Sequence, residues 1–143
     1  NNPGNIRYIT NTGFTRWKGL ANPPSDGAFC RFDSPVYGLR AMYRILRTYR
    51  RRGVVTLRAI VSRWAPASEN DTQAYLRAVA RETGLDPNAE IDVLDPNTAI
   101  PLARAIVLHE NGRGPWPDNR YWYDLSTYAA GFEAAIKQRR ARK

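Results

Sequence analysis

A chain of 143 residues and 16.2 kDa has room for one domain, or at most two small ones. Its 43% hydrophobic and 24% charged residues are a globular composition, which excludes a disordered or collagen-like chain. The 22 Lys and Arg outnumber the 13 Asp and Glu to give a net charge of +9, so the surface favours polyanions: nucleic acid, anionic lipid or an acidic cell wall.

The first 30 residues read differently from the rest. Turn signals at Asn1-Asn2-Pro3-Gly4-Asn5 and Asn11-Thr12-Gly13 bracket Ile6-Arg7-Tyr8-Ile9, and Phe14-Thr15-Arg16-Trp17 follows. This predicts a small β-hairpin, with 21–27 (ANPPSDG) as loop. Helical spacing then takes over. Asp33-Ser34-Pro35 opens a first helix with Val36, Leu39, Met42, Tyr43, Leu46 and Tyr49 on one face. A separate stripe holds Arg40, Arg44, Arg47 and Arg51, read as a solvated face, and Gly53 closes the helix.

Thr56 caps a short second helix that Pro66 stops. Asn70-Asp71 caps a third, ended by Gly84. A fourth starts within Asp95 to Thr98, with Pro101 expected in its first turn. From Ala99 to Glu110 it is apolar almost all round, the pattern of a buried central helix. A fifth begins near Leu125-Ser126, with Tyr128, Phe132 and Ile136 facing inward. The sum is a single, mainly α domain with a small β element near its N-terminus. At this size a core can bury roughly 68–70% of the unfolded surface, so no disulfide or structural metal is needed.

Cys30 cannot pair within the chain, and Cys30 with His109 cannot build the usual zinc site. No cofactor or metal is implied. A Ser-His-Asp triad would have to run through His109, which reads as core or second layer, and no nucleophile elbow accompanies it. The most informative segment is His109-Glu110-Asn111-Gly112. Burial and the negative end of the helix dipole both favour the protonated form of Glu110, the state a general acid needs. The same position also suits a solvated helix end or a partner for an Arg. Glu69 lies in a loop beside Trp64 and is the candidate second carboxylate; Asp71 is explained by capping. Aromatic residues gather at Trp116, Tyr121, Trp122 and Tyr123, and at Tyr8, Phe14 and Trp17. Such rings suit sugar faces and nucleobases, and equally core packing. The runs Arg50-Arg51-Arg52 and 137–143 offer loose electrostatic attraction without a nucleic-acid recognition motif. The longest strongly apolar stretch, Ile100 to Leu108, is far short of the roughly 20 residues of a membrane span. No signal peptide is visible. The chain opens Asn1-Asn2-Pro3 without Met, as expected of a domain excised from a longer protein.

Four blocks in order are together specific: 1–8 (NNPGNIRY), 32–42 (FDSPVYGLRAM), 63–72 (RWAPASENDT) with Tyr75, and 109–112 (HENG). Over residues 1–115 they resemble a family of bacteriophage virion-associated and secreted-effector domains of the lysozyme superfamily, which cleave peptidoglycan. In glucosaminidase-type folds of that superfamily the Glu-bearing helix comes first and the Asn-rich and Ser-Pro segments follow. Here that order is reversed, so the resemblance implies a circular permutation, with Asn1 to Tyr8 beside Glu110 in space. It further implies cleavage of the MurNAc-β-1,4-GlcNAc bond, with Glu110 as acid and Glu69 as second carboxylate, by hydrolysis or by transglycosylation. Asn2, Asn5, Tyr8, Trp17, Asn70, Tyr75, Trp116, Tyr121 and Trp122 would bind substrate. The implied partner is peptidoglycan, reached in the periplasm or wall through a virion or a secretion system, with an immunity or inhibitor protein if the domain is an effector. A monomer that takes no specific nucleic acid is expected. The rival expectation is a non-catalytic basic module that binds nucleic acid or wall, or builds a virion.

Overall fold

The computed structural model describes residues 4, 6, 17–25, 30–68, 70–114 and 119–141, without the side chains of 22–25, 31 and 138–141. Two short strands, β1 (Leu20–Ser25) and β2 (Cys30–Phe32), precede five helices: α1 (Pro35–Arg51), α2 (Leu57–Trp64), α3 (Thr72–Thr83), α4 (Pro96–Asn111) and α5 (Leu125–Ala141). The fold is mainly α.

The helix boundaries follow local chemistry. Thr56 Oγ1 accepts from the Ala59 amide at 3.1 Å, and Asp71 Oδ1 from the Ala74 amide at 3.1 Å. Asp95 Oδ1 accepts from the Asn97 amide at 2.9 Å. Each satisfies an amide that the first helical turn leaves without a partner. At the end of α3, Gly84 adopts φ +74°, the left-handed conformation in which a Cβ is costly. Ser34 stands at the N-cap of α1 but its hydroxyl makes no capping bond, and Pro35 occupies the first helical position.

Several expectations are corrected. The segment 20–25 is a strand, not a loop: Leu20 pairs with Phe32 and Ser25 with Cys30, antiparallel. Six residues on β1 thus oppose three on β2, and the surplus forms an irregularity that accommodates Pro23-Pro24, which cannot donate to a ladder. The expected hairpin falls on 6–17, of which only Ile6 and Trp17 are described. Because Asp95 starts α4 at Pro96, Pro101 lies in the second turn and leaves the Asn97 carbonyl without its helical donor. Ile136 is 42% exposed rather than inward. Arg40 belongs to no solvated face: it is 3% exposed. Arg44 is half-buried and donates through Nη1 to the Ala135 carbonyl at 2.8 Å.

The core gathers Leu39, Met42, Tyr43 and Leu46 of α1, Leu57, Ile60 and Val61 of α2, and Tyr75 and Val79 of α3. Leu102 and Ile106 of α4 join them, as do Tyr128 and Phe132 of α5. α4 is buried on several sides, through Ala99, Leu102, Ala103, Ala105, Ile106 and Val107, and it packs on α1, α3 and α5. α1 and α5 approach closely at Gly131. A Cβ built there would lie 2.7 Å from Leu39 Cβ, and Tyr43 packs edge-on against Phe132 with ring centres 5.3 Å apart.

That contact sets the sign of a substitution. In an exposed helix interior, Gly to Ala is worth about 1 kcal/mol of stabilisation. At residue 131 the methyl must push the two helices apart, and such overpacking costs about 1–3 kcal/mol. Gly131→Ala is therefore expected to lower the urea midpoint; a midpoint raised by the substitution would show that the helices are not in contact there.

Candidate active site at the end of α4

The first turn of α3 and the last turn of α4 meet at one end of the molecule. Tyr75 is 2% exposed, and its ring lies 4.0 Å from that of His109, tilted by 45°. Its hydroxyl is buried without a hydrogen-bond partner. Burial pushes the phenol well above its ordinary pKa, and the nearby Glu110 carboxylate pushes in the same direction. Glu110 is thus a half-buried acid in the last turn of the most apolar helix, close to a neutral phenol. His109 is exposed, so of the two expected positions, core or second layer, the core one is corrected: its imidazole lies over the Tyr75 ring.

A contiguous set of contacts leads from the N-terminal segment to this end. A Cβ on Gly4 would lie 2.7 Å from Trp64 and 2.8 Å from Met42. Trp64 ends α2, and the next residue, Ala65, receives the Thr72 hydroxyl on its carbonyl at 2.6 Å. Thr72 begins α3, one turn before Tyr75. The Ile6 carbonyl accepts from the Cys30 amide at 2.8 Å, which ties Ile6 to β2. Asn70 is exposed, and its amide and side-chain Nδ2 both reach the Pro66 carbonyl, at 3.1 and 3.4 Å. Glu69, Asn2, Asn5, Tyr8 and Trp116 lie outside the described residues. Trp17 is half-buried against the core.

The chain after α4 folds back over its own helix end. The Trp122 indole donates to the Gly112 carbonyl at 2.8 Å, two residues beyond Glu110. Trp122 has φ +73°, a left-handed conformation that is strained for so bulky a residue. Gly114 makes the turn feasible: its amide donates to the Arg120 carbonyl at 2.9 Å, and a Cβ would sit 2.9 Å from the Trp122 amide.

Tyr121 is held from three sides. Its hydroxyl donates to Glu82 and accepts from Arg120 at 3.1 Å, Arg120 also donates to Glu82, and the Arg104 guanidinium stacks 3.9 Å above its ring. The Tyr128 hydroxyl donates to the Tyr121 carbonyl at 2.6 Å and Tyr43 to the Tyr128 carbonyl at 3.1 Å, so the loop is tied through α5 to α1. One face of Tyr121 is therefore already covered, whereas the Trp122 side chain is half-buried beside the α4 terminus. Sequence reasoning did not single out Glu82, Arg104 or Arg120. A faint signal was there: Glu82 is an acid in the last turn of α3, where the helix dipole disfavours it unless a cation or donor compensates. Among the described residues no three His, Cys, Asp or Glu side chains gather as metal ligands, and no helix is long and apolar enough to cross a membrane.

The covered face of His109 lowers its pKa, because burial disfavours the imidazolium. Above the ordinary value of 6.5 both folded and unfolded chains hold it neutral and its contribution to stability is complete. As the pH falls through 6.5 the unfolded chain binds the proton more readily, so stability is lost toward the lower folded value. His109 is the chain's one histidine, so its imidazole resonance is assigned without ambiguity. An NMR titration should give a midpoint below 6.5; a midpoint at or above 6.5 would show that Tyr75 does not cover the ring.

No family model matches the chain. A search of curated proteins finds Protein P5 of Pseudoalteromonas phage PM2, 38% identical over 117 residues, which cover 81% of this chain and 71% of the phage protein. Identity of that level over most of both chains identifies this protein as a member of the family of phage PM2 Protein P5.

Proposed function

We propose that the protein cleaves the glycan strand of peptidoglycan at the MurNAc-β-1,4-GlcNAc bond, with Glu110 as the general acid. The observation that carries this reading is the setting of Glu110: half-buried, at the negative end of the most apolar helix, and close to a buried neutral phenol. Proton donation to a glycosidic oxygen needs a carboxyl in such surroundings, because an apolar wall and a helix C-terminus both favour the uncharged acid. Lysozyme is the reference case for this logic.

Trp122 supplies the second support. A sugar ring presents flat C–H faces, and an indole fixed beside the acid suits them. Its own N–H is already engaged by Gly112, so the ring is oriented before any ligand arrives. Glu69 is the candidate second carboxylate: its sequence neighbours Ser68 and Asn70 are exposed at the start of α3, the helix that carries Tyr75. If Glu69 does not serve, the substrate's acetamido or 6-hydroxyl group would stabilise the cationic sugar, and the 6-hydroxyl route gives an anhydro product. The net charge of +9 would hold the enzyme on an anionic envelope. A relative from a phage is in keeping with delivery to the wall or periplasm by a virion.

Glu110→Gln keeps size and hydrogen bonding but cannot donate a carboxylic proton. General acid catalysis is typically worth 10²–10⁴-fold, so wall lysis followed by turbidity should fall at least about a hundredfold. Circular dichroism and thermal melting should show a native fold. A folded Glu110→Gln protein that lyses walls at the native rate would exclude Glu110 as the acid. A native protein that leaves walls intact but retards DNA in a gel would favour a binding module.

A further inference from the structure

We propose that Arg40 forms a binding site for a small phosphate-class oxyanion at the seam between α1 and α5. Arg40 is the one charged residue in the core among the described residues, 3% exposed, and its Nε is buried without a hydrogen-bond partner. The charge next to it has the wrong sign for a partner: Arg44 stands one turn further on and outweighs the favourable effect of Tyr37, and the Arg44 guanidinium is held at the same seam by the bond to the Ala135 carbonyl. The Arg40 backbone lies directly against α5, with its amide 3.4 Å from a Cβ built on Gly131.

A guanidinium taken out of water without a counterion is strongly destabilising, and a second cation beside it adds to the penalty. Burial and Arg44 accordingly both weaken the hold of Arg40 on its proton. The remaining buried side chains of α1, Leu39, Ala41, Met42, Tyr43 and Leu46, show that the site tolerates apolar groups, so packing alone does not call for an arginine. An oxyanion would satisfy both requirements at once. It accepts from the Nε–H and Nη–H fork of Arg40 in the bidentate manner that guanidinium favours, and it neutralises the repulsion from Arg44. With the two arginines one turn apart on α1, a phosphate dianion is drawn more strongly than a carboxylate, which carries one charge. The site is separate from the Glu110 setting and does not depend on the proposed lytic activity.

The test uses the intact protein in phosphate-free buffer at constant ionic strength. Titration with inorganic phosphate should raise the melting temperature of the native protein and of the control Arg58→Gln, whose side chain is exposed and bonded to Asn88. The same titration should leave Arg40→Met unmoved. Arg40→Lys keeps the charge but not the fork, and it should bind phosphate at least about tenfold more weakly, the worth of one lost charge-assisted hydrogen bond; it also serves if Arg40→Met does not fold. Glycerol phosphate in place of phosphate distinguishes the sources: equal, Arg40-dependent stabilisation identifies a phosphate ester as ligand, and stabilisation by inorganic phosphate alone identifies the free ion. The absence of any phosphate effect on the native protein, or an equal effect on Arg40→Met, would overturn the proposal.

Discussion

The contact between Tyr75 and His109 governs the arrangement of the candidate site. It joins the first turn of α3 to the last turn of α4, with ring centres 4.0 Å apart. It thereby brings the loop that ends α2, the cap of α3 and the terminus of α4 to one end of the fold. Glu110 follows His109 directly, so the turn that lays the imidazole on Tyr75 also sets the carboxylate near the buried phenol.

The second constraint is the polar chain that ties the 112–124 loop to the body. It runs from Tyr43 to the Tyr128 carbonyl, from the Tyr128 hydroxyl to the Tyr121 carbonyl, and from the Tyr121 hydroxyl to Glu82. Buried polar networks are stiff when satisfied and expensive when broken. This one links α1, α5, the loop and α3, and Arg104 of α4 stacks on its last ring. The strained backbone of Trp122 lies next to that anchorage and is held on its other side by Gly112. Strain of this kind persists only where the surroundings over-determine it. Both anchors therefore serve the same end, an indole fixed beside the Glu110 terminus.

Much of the helical framework was legible because its signals are local. Thr56, Asp71 and Asp95 cap by contacts three residues or fewer away, and Gly84 ends α3 through its own backbone. Less was legible where the outcome depends on distant partners. Pro23-Pro24 argues for a loop, and only pairing with Cys30–Phe32 makes 20–25 an irregular strand. Arg40 sits in a charged stripe by spacing, yet α5 crosses α1 there and buries it. Ile136 follows the periodicity of Tyr128 and Phe132, yet it is its neighbour Ala135 that α5 buries at that level, bonded to Arg44 of α1, and Ile136 is left exposed. At the site, Glu110 and Tyr75 could be singled out from the sequence. The Glu82–Arg120–Tyr121 cluster with Arg104 could not, since its members come from α3, the loop and α4.

The measurement that bears most directly on the central claim is mass spectrometry of fragments released from purified peptidoglycan. Cleavage by the proposed route predicts fragments ending in N-acetylmuramic acid, with a reducing end for hydrolysis or a 1,6-anhydro ring for transglycosylation, and their loss in folded Glu110→Gln. Fragments ending in N-acetylglucosamine, release of peptides alone, or no release by the native protein would contradict it.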